Sequence, residues 1–200
     1  MAMMVRLAVG VVVGLALTPL LVRLLRWTAD TKVPSWYVVA ITPVAAAAVA
    51  LWAPAAIAFG AAFVVLGIPA AAVDVVEHRI PDRLSLPLCG VVVVAAIIGH
   101  QAGLRALAGG VAWGAALLVS YLLTGQPGPG DVKLAPSVGI LLGWFGWTWV
   151  PGGFIAAYVV TAVAGLVGVL LGRFSFRDGQ VPMGPPMVAV ALVGGTLAQL

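Results

Sequence analysis

Apolar runs, each close to the length of a membrane-crossing helix, fill most of this chain, and short polar patches separate them. Counting stretches of roughly 20 apolar residues predicts eight helices, at about 5–25, 36–53, 55–74, 84–100, 104–124, 132–150, 152–171 and 182–200. Two of the breaks are very short, Ala53-Pro54 and Pro151-Gly152-Gly153. The first run continues through Thr18-Pro19 into Leu20-Leu21-Val22 and reaches Arg23 and Arg26 without a small-x-small cleavage pattern. It therefore reads as a retained span rather than a signal peptide. Gly109 and Gly110 with Gly114, and Gly165 with Gly168 and Gly172, read as surfaces where helices approach closely.

Composition turns this pattern into a fold class. The chain has 200 residues, of which 63% are hydrophobic and 8% charged, and its mean hydropathy is +1.18. A water-soluble domain of this size has too little interior to hide so much apolar surface. The expected class is an all-α polytopic membrane protein with the lipid bilayer as its solvent. The single cysteine, Cys89, excludes a disulfide framework within one chain and any CxxC zinc site. A formal charge of +4, spread along the chain, does not point to nucleic acid.

Charge then orients the bundle. With eight spans, Arg23, Arg26, Lys32, Arg79, Arg83, Lys133, Arg173 and Arg177 share one face, and Arg6 and Arg105 the other. The basic face is expected to be cytoplasmic, with both chain termini outside. All six acids, Asp30, Asp74, Glu77, Asp82, Asp131 and Asp178, fall on or beside that same face. The run Gly143–Val150, with Trp144, Trp147 and Trp149, ends a span on the opposite side, where tryptophan favours the interface.

Two acids stand apart from ordinary loop charges. Asp74 lies inside Ala71-Ala72-Val73-Asp74-Val75-Val76, and a carboxylate among apolar residues at a span end is a functional candidate. Asp131 follows Gly128-Pro129-Gly130 at the start of the sixth run. The glycines permit close approach of another chain, Pro129 stiffens the turn, and the helix dipole favours an acid there. Taken singly, Asp131 could simply cap its helix, and Asp74 could pair with Arg79 or Arg83. Between the two, Ile80-Pro81-Asp82 reads as a turn that starts the next helix, with Asp82 or Ser85 as N-cap. Two partly desolvated carboxylates brought together cannot both ionise easily, so one keeps a proton while the other is a base. Such a pair can activate water and protonate the leaving amine of a peptide bond. The residues thus suggest a membrane-embedded aspartyl protease with its site near the cytoplasmic face. Glu77 and His78 read as solvated loop residues, and no metal-ligand spacing is present.

Three motifs, in order, resemble those of the type IV prepilin peptidases, which are GxGD-type intramembrane aspartyl proteases. Gly128-Pro129-Gly130-Asp131-Val132-Lys133-Leu134 is similar to that family's GxGDxKL. Asp74, followed by Ile80-Pro81-Asp82 and Leu84-Ser85-Leu86-Pro87, is similar to its first motif. Val181-Pro182-Met183-Gly184-Pro185 is similar to the opening of its last helix. The resemblance implies that residues 1–200 form a single membrane-embedded peptidase domain. Asp74 and Asp131 would be its catalytic pair, and Ile80, Pro81, Asp82, Gly128, Pro129, Gly130, Lys133, Leu134, Pro182, Gly184 and Pro185 would bind substrate or shape the site. The implied reaction removes the short basic leader of a prepilin or pilin-like protein. Cleavage follows a glycine, at the cytoplasmic face of the inner or plasma membrane, and uses no metal. Bifunctional members carry two CxxC pairs after the first span, whereas residues 26–37 here hold no cysteine. A peptidase-only form is expected, and S-adenosylmethionine enters only if methylation of the new N-terminus is retained. Another GxGD protease is the alternative, although Val73 precedes the first aspartate and the last helix has no Pro-Ala-Leu. A proton-coupled transporter would need acids near mid-membrane.

Overall fold

The computed structural model describes residues 1–172 and 181–199, without the side chains of His100 and Gln101. Arg173, Arg177 and Asp178 of the charge count therefore lie outside the described residues. The elements in chain order are α1 (Ala2–Thr28), α2 (Trp36–Val49), α3 (Pro54–Ala62), a π-helical turn (Phe63–Gly67), α4 (Ile68–Glu77), α5 (Asp82–Ile98), α6 (His100–Thr124), α7 (Pro129–Phe145), α8 (Trp149–Leu170) and α9 (Gly184–Leu197). The described residues are helical with no strand, and the chain is an all-α polytopic membrane protein. Four rods are long and apolar enough to cross a membrane: Ala2–Thr28, Pro54–Glu77, Ala102–Thr124 and Trp149–Leu170. Their lipid-facing surface is aliphatic, with residues such as Val12, Leu123 and Leu170 largely exposed.

Local chemistry explains where the rods depart from the apolar runs. The second run predicts helix to 53, but α2 stops at Val49 and the chain turns before Pro54, which opens α3 at a position that needs no N–H. Trp52 in that turn is fully buried, and its indole N–H donates to Thr196 Oγ1 at 3.1 Å. The sixth run predicts helix to 150, but α7 ends at Gly146, whose φ of 155° suits glycine. Arg105 donates to the free carbonyls of Gly143 and Trp144 at that end, at 2.8 and 2.6 Å. The π turn lies directly before Pro69, whose ring would clash with the Val65 carbonyl in a regular α-helix. One extra residue in a turn rotates everything beyond it by about 100°. The turn thus sets the direction in which Asp74 leaves the Pro54–Glu77 rod.

Glycine lets the rods touch. A methyl group at Gly10 would lie 2.6 Å from Ala47 Cα, and one at Gly14 would lie 2.6 Å from Pro43 Cα, so α1 and α2 meet backbone to backbone. The α6–α7 contact is similar. A methyl group at Gly109 would lie 2.5 Å from the Gly139 carbonyl oxygen, one at Gly110 would lie 2.5 Å from Ile140 Cγ1, and Gly114 faces Pro136. Gly165 packs against Val181, but Gly172 faces open space at φ 67° and ends α8 instead of packing. The segments 29–35, 78–81, 125–128 and 181–183 gather at one end of the bundle. Thr31 bonds Glu77 there, Lys133 bonds Asp82, and Gly184 bonds Asp74.

Candidate active site

Asp74 lies one turn before the end of α4 and is only 4% exposed. Its Oδ2 accepts the Gly184 N–H at 2.9 Å. The opening of α9 explains why that N–H is available. The first amides of a helix have no partner within it. In α9, Pro185 and Pro186 carry no N–H, and Met187 N–H donates to the Met183 carbonyl. Gly184 is left with the one free amide of that turn, and it points at Asp74. The glycine is needed for the approach, because a methyl group there would lie 2.8 Å from Asp74 Oδ2.

Asp131 is 8% exposed and occupies the third position of α7. Its Oδ2 accepts the Gly128 N–H at 3.1 Å, so the aspartate does cap its helix, from inside the first turn. Its Oδ1 is buried and has no hydrogen-bond partner among the described residues. A buried carboxylate oxygen without a donor is costly for stability alone. The cap therefore accounts for one oxygen and leaves the other free. The Ile80 turn lies against Gly130, next to Asp131, and against Gly184, whose amide holds Asp74, so the two aspartates flank one turn. The two arginines that could have paired with Asp74 are engaged elsewhere. Arg79 contacts Asp30 at 2.6 Å and Glu77 at 2.8 Å, and the Arg83 guanidinium lies 4.8 Å from the centre of the Trp27 ring.

The remaining motif residues divide by role. Ile80 is buried between the starts of α7 and α9. A methyl group at Gly130 would lie 2.9 Å from the Ile80 backbone nitrogen, and one at Gly184 would lie 3.2 Å from Ile80 Cδ1. The 78–81 turn thus wedges between the two aspartate-bearing regions. His78 makes that turn possible by ending α4 in the left-handed conformation, φ 51°. Lys133 bonds both oxygens of Asp82, at 2.7 and 2.9 Å, and clasps α7 to α5. Leu134 is fully buried core. Pro81 and Pro129 occupy helix starts, and Pro182 is half-buried just ahead of α9.

Two readings need correction. Neither Asp82 nor Ser85 caps α5: the N-cap position is Pro81, and the Ser85 hydroxyl donates back to the Pro81 carbonyl. Glu77 is not a solvated loop residue. Its side chain is 5% exposed, and Oε1 accepts both the N–H and the hydroxyl of Thr31, at 2.7 and 2.9 Å. Its contact with Arg79 is an ion pair by distance without hydrogen-bond alignment. The sequence held a signal for this, an acid one helical turn beyond Asp74, but its partner lies 46 residues away. Among the described residues, no group of three or more His, Cys, Asp or Glu side chains is arranged to hold a metal ion.

A helical membrane bundle that converges two buried carboxylates at one end defines a membrane-embedded protein with a candidate acid–base site. The profile of the type IV leader peptidase family matches residues 61–172, a segment that contains Asp74, Asp131 and their connecting turn, and the chain belongs to that family. Two curated proteins called "Prepilin leader peptidase/N-methyltransferase", from Burkholderia pseudomallei strains 1026b and K96243, are each 34% identical to it over 157 residues. The alignment covers 72% of this chain and 48% of each relative, so the chain spans about half the length of the curated relatives it matches. No solved structure matches it.

Proposed function

We propose that this protein is an aspartic endopeptidase that removes the basic leader of a prepilin or pilin-like membrane protein. The observation that carries the reading is the burial of Asp74 and Asp131, from separate helices, at one end of the bundle on either side of the Ile80 turn. Family membership supports a pilin-type substrate. The excess of basic residues at the motif end supports a cytoplasmic site in the inner or plasma membrane. The described acids Asp30, Asp74, Glu77, Asp82 and Asp131 all gather at that end, which disfavours a transporter that moves protons at mid-membrane.

In the reaction, one carboxylate removes a proton from a water molecule, and the water oxygen attacks the carbonyl carbon of the scissile bond. The protonated partner stabilises the developing oxyanion. The tetrahedral intermediate then collapses as its C–N bond breaks, and the leaving amine takes up a proton from the site. Asp131 Oδ1, which has no donor among the described residues, is the better-suited oxygen to hold the water. Asp74 is held in place by the Gly184 amide. Hydrolysis in this form uses only the two carboxylates and water. S-Adenosylmethionine would serve a separate methylation of the new N-terminus, and our reading is of a peptidase-only form.

The test is leader cleavage by the full chain in lipid nanodiscs. The probe is a peptide with a basic leader, a glycine and an apolar helix. Asp74→Asn and Asp131→Asn each abolish cleavage while the protein stays folded, because asparagine can still accept the Gly184 and Gly128 N–H bonds. Normal processing by either variant refutes the dyad.

A further inference from the structure

We propose that the open groove between α2, α4 and α9 seats the apolar helix of the substrate, beginning directly beside the carboxylates. The inference rests on the peptidase reading and extends it to the substrate's path into the membrane.

The groove has a cavity volume of about 120 Å³ and an almost wholly apolar lining. Its walls fall into three levels. Nearest the carboxylate end are Tyr37, Val75 and Pro185; next come Ile41, Ala71 and Ala189; deepest are Ile68 and Leu192. Val75 adjoins Asp74 in the chain, and Pro185 adjoins Gly184, whose amide holds Asp74. The carboxylate end of the groove therefore lies one residue from Asp74 on α4 and one residue from Gly184 on α9. From Val75 to Ile68, and from Pro185 to Leu192, each wall is eight residues long, about 10 Å of helix, or two turns. Ile68, Ala72, Val188 and Leu192 are buried and form its floor. Ile41, 48% exposed, and Ala189, also exposed, stand at its open rim. Alanines at 71, 72 and 189 let a foreign helix come close, as small residues do at membrane helix interfaces.

Among the described residues, two other approaches to the carboxylates are obstructed. On the Asp131 side, α7 meets α6 backbone to backbone at Gly109 and Gly139, so an entering helix would have to part them. Ile80 fills the space between Gly130 and Gly184. A peptide with its scissile bond at Asp74 and Asp131, and an apolar helix continuing into the bilayer, has the α2–α4–α9 face as an open apolar course. Burying the first two turns of that helix there holds the bond at the site without covering the leader.

Cysteine cross-linking tests the assignment, because Cys89 is the chain's one cysteine. In a Cys89→Ser background, single cysteines are placed by Ala189→Cys in the groove, and by Leu118→Cys on α6 and Val163→Cys on α8 as lipid-facing controls of similar depth. Two probes share a basic leader, a glycine and a leucine–alanine helix with one cysteine a single turn after the glycine. One has a normal scissile amide; in the other that amide is reduced to CH2–NH and resists hydrolysis. Under copper–phenanthroline oxidation the reduced probe cross-links to Ala189→Cys roughly tenfold more than to either control. Cleavage of the normal probe with equal or stronger cross-linking at a control overturns the groove and leaves the peptidase reading standing. Failure of the Cys89→Ser chain to cleave the normal probe removes both. Separately, Ala189→Trp fills the open rim and raises KM roughly tenfold with kcat within about twofold; an unchanged KM overturns the assignment.

Discussion

Gly184→Ala separates the chemistry of the site from the stability of the fold. The new methyl group would lie 2.8 Å from Asp74 Oδ2 and 3.2 Å from Asp74 Cγ. An ordinary carbon–oxygen contact is about 3.5 Å, so the carboxylate must retreat by about 0.7 Å. The retreat also stretches the 2.9 Å hydrogen bond from the Gly184 N–H. The atoms that must yield are the ends of two side chains, Asp74 and Ile80, not a helix backbone. Folding should therefore change by less than about 1 kcal/mol, and the gain in helix propensity from alanine offsets part of that. Catalysis is less forgiving, since a displacement approaching 1 Å at a reacting group costs about a hundredfold in rate. The assay is kcat and KM for leader cleavage in nanodiscs, beside thermal unfolding of the same sample. Gly90→Ala is the control, because nothing lies within 4 Å of a methyl group there. Cleavage within twofold of the parent chain by folded Gly184→Ala would refute the placement of Asp74 by Gly184. An activity loss matched by an equal loss of fold would refute confinement of the clash to these side-chain ends.

Gly139→Val places a side chain against the Gly109 backbone, where no rotamer relieves it, and should lower stability by about 3 kcal/mol; unchanged thermal unfolding would refute the α6–α7 contact. Glu77→Ala frees the Thr31 amide and hydroxyl and removes one partner of Arg79, a loss of about 1–3 kcal/mol local to the 29–35 segment. Its readout is faster tryptic cleavage at Lys32, and an unaltered digestion rate would contradict the anchoring role. Lys133→Ala breaks an ion pair whose partners are both about half exposed, so stability should fall by no more than about 1 kcal/mol; a larger loss in thermal unfolding would mean the clasp does more than the geometry implies.

Much of the architecture was legible because lipid leaves a chain few options. Every backbone group in a membrane must be satisfied internally, so long apolar runs become helices. The rods accordingly follow the apolar runs, with ends adjusted by Pro54 and Gly146. Part of the site was legible too, since Asp74 and Asp131 are conspicuous among apolar residues and glycines. Glu77 shows the limit of such reading: its chain neighbours suggest an exposed loop, and only the return of Thr31 from the α1–α2 segment buries it.

Chain order and residue type, then, are enough to establish a helical membrane bundle, the side on which its acids gather, and the two carboxylates worth watching. Those follow from local rules: hydropathy, helix length, and the cost of a charge among apolar neighbours. The meeting of Asp74 with the Gly184 amide, 110 residues on, is a different kind of fact. It depends on a π turn that rotates the end of α4, on two prolines that leave a single amide free, and on Ile80 wedged between two glycines. Each is a contact between distant segments, and packing in three dimensions selects it where sequence spacing cannot.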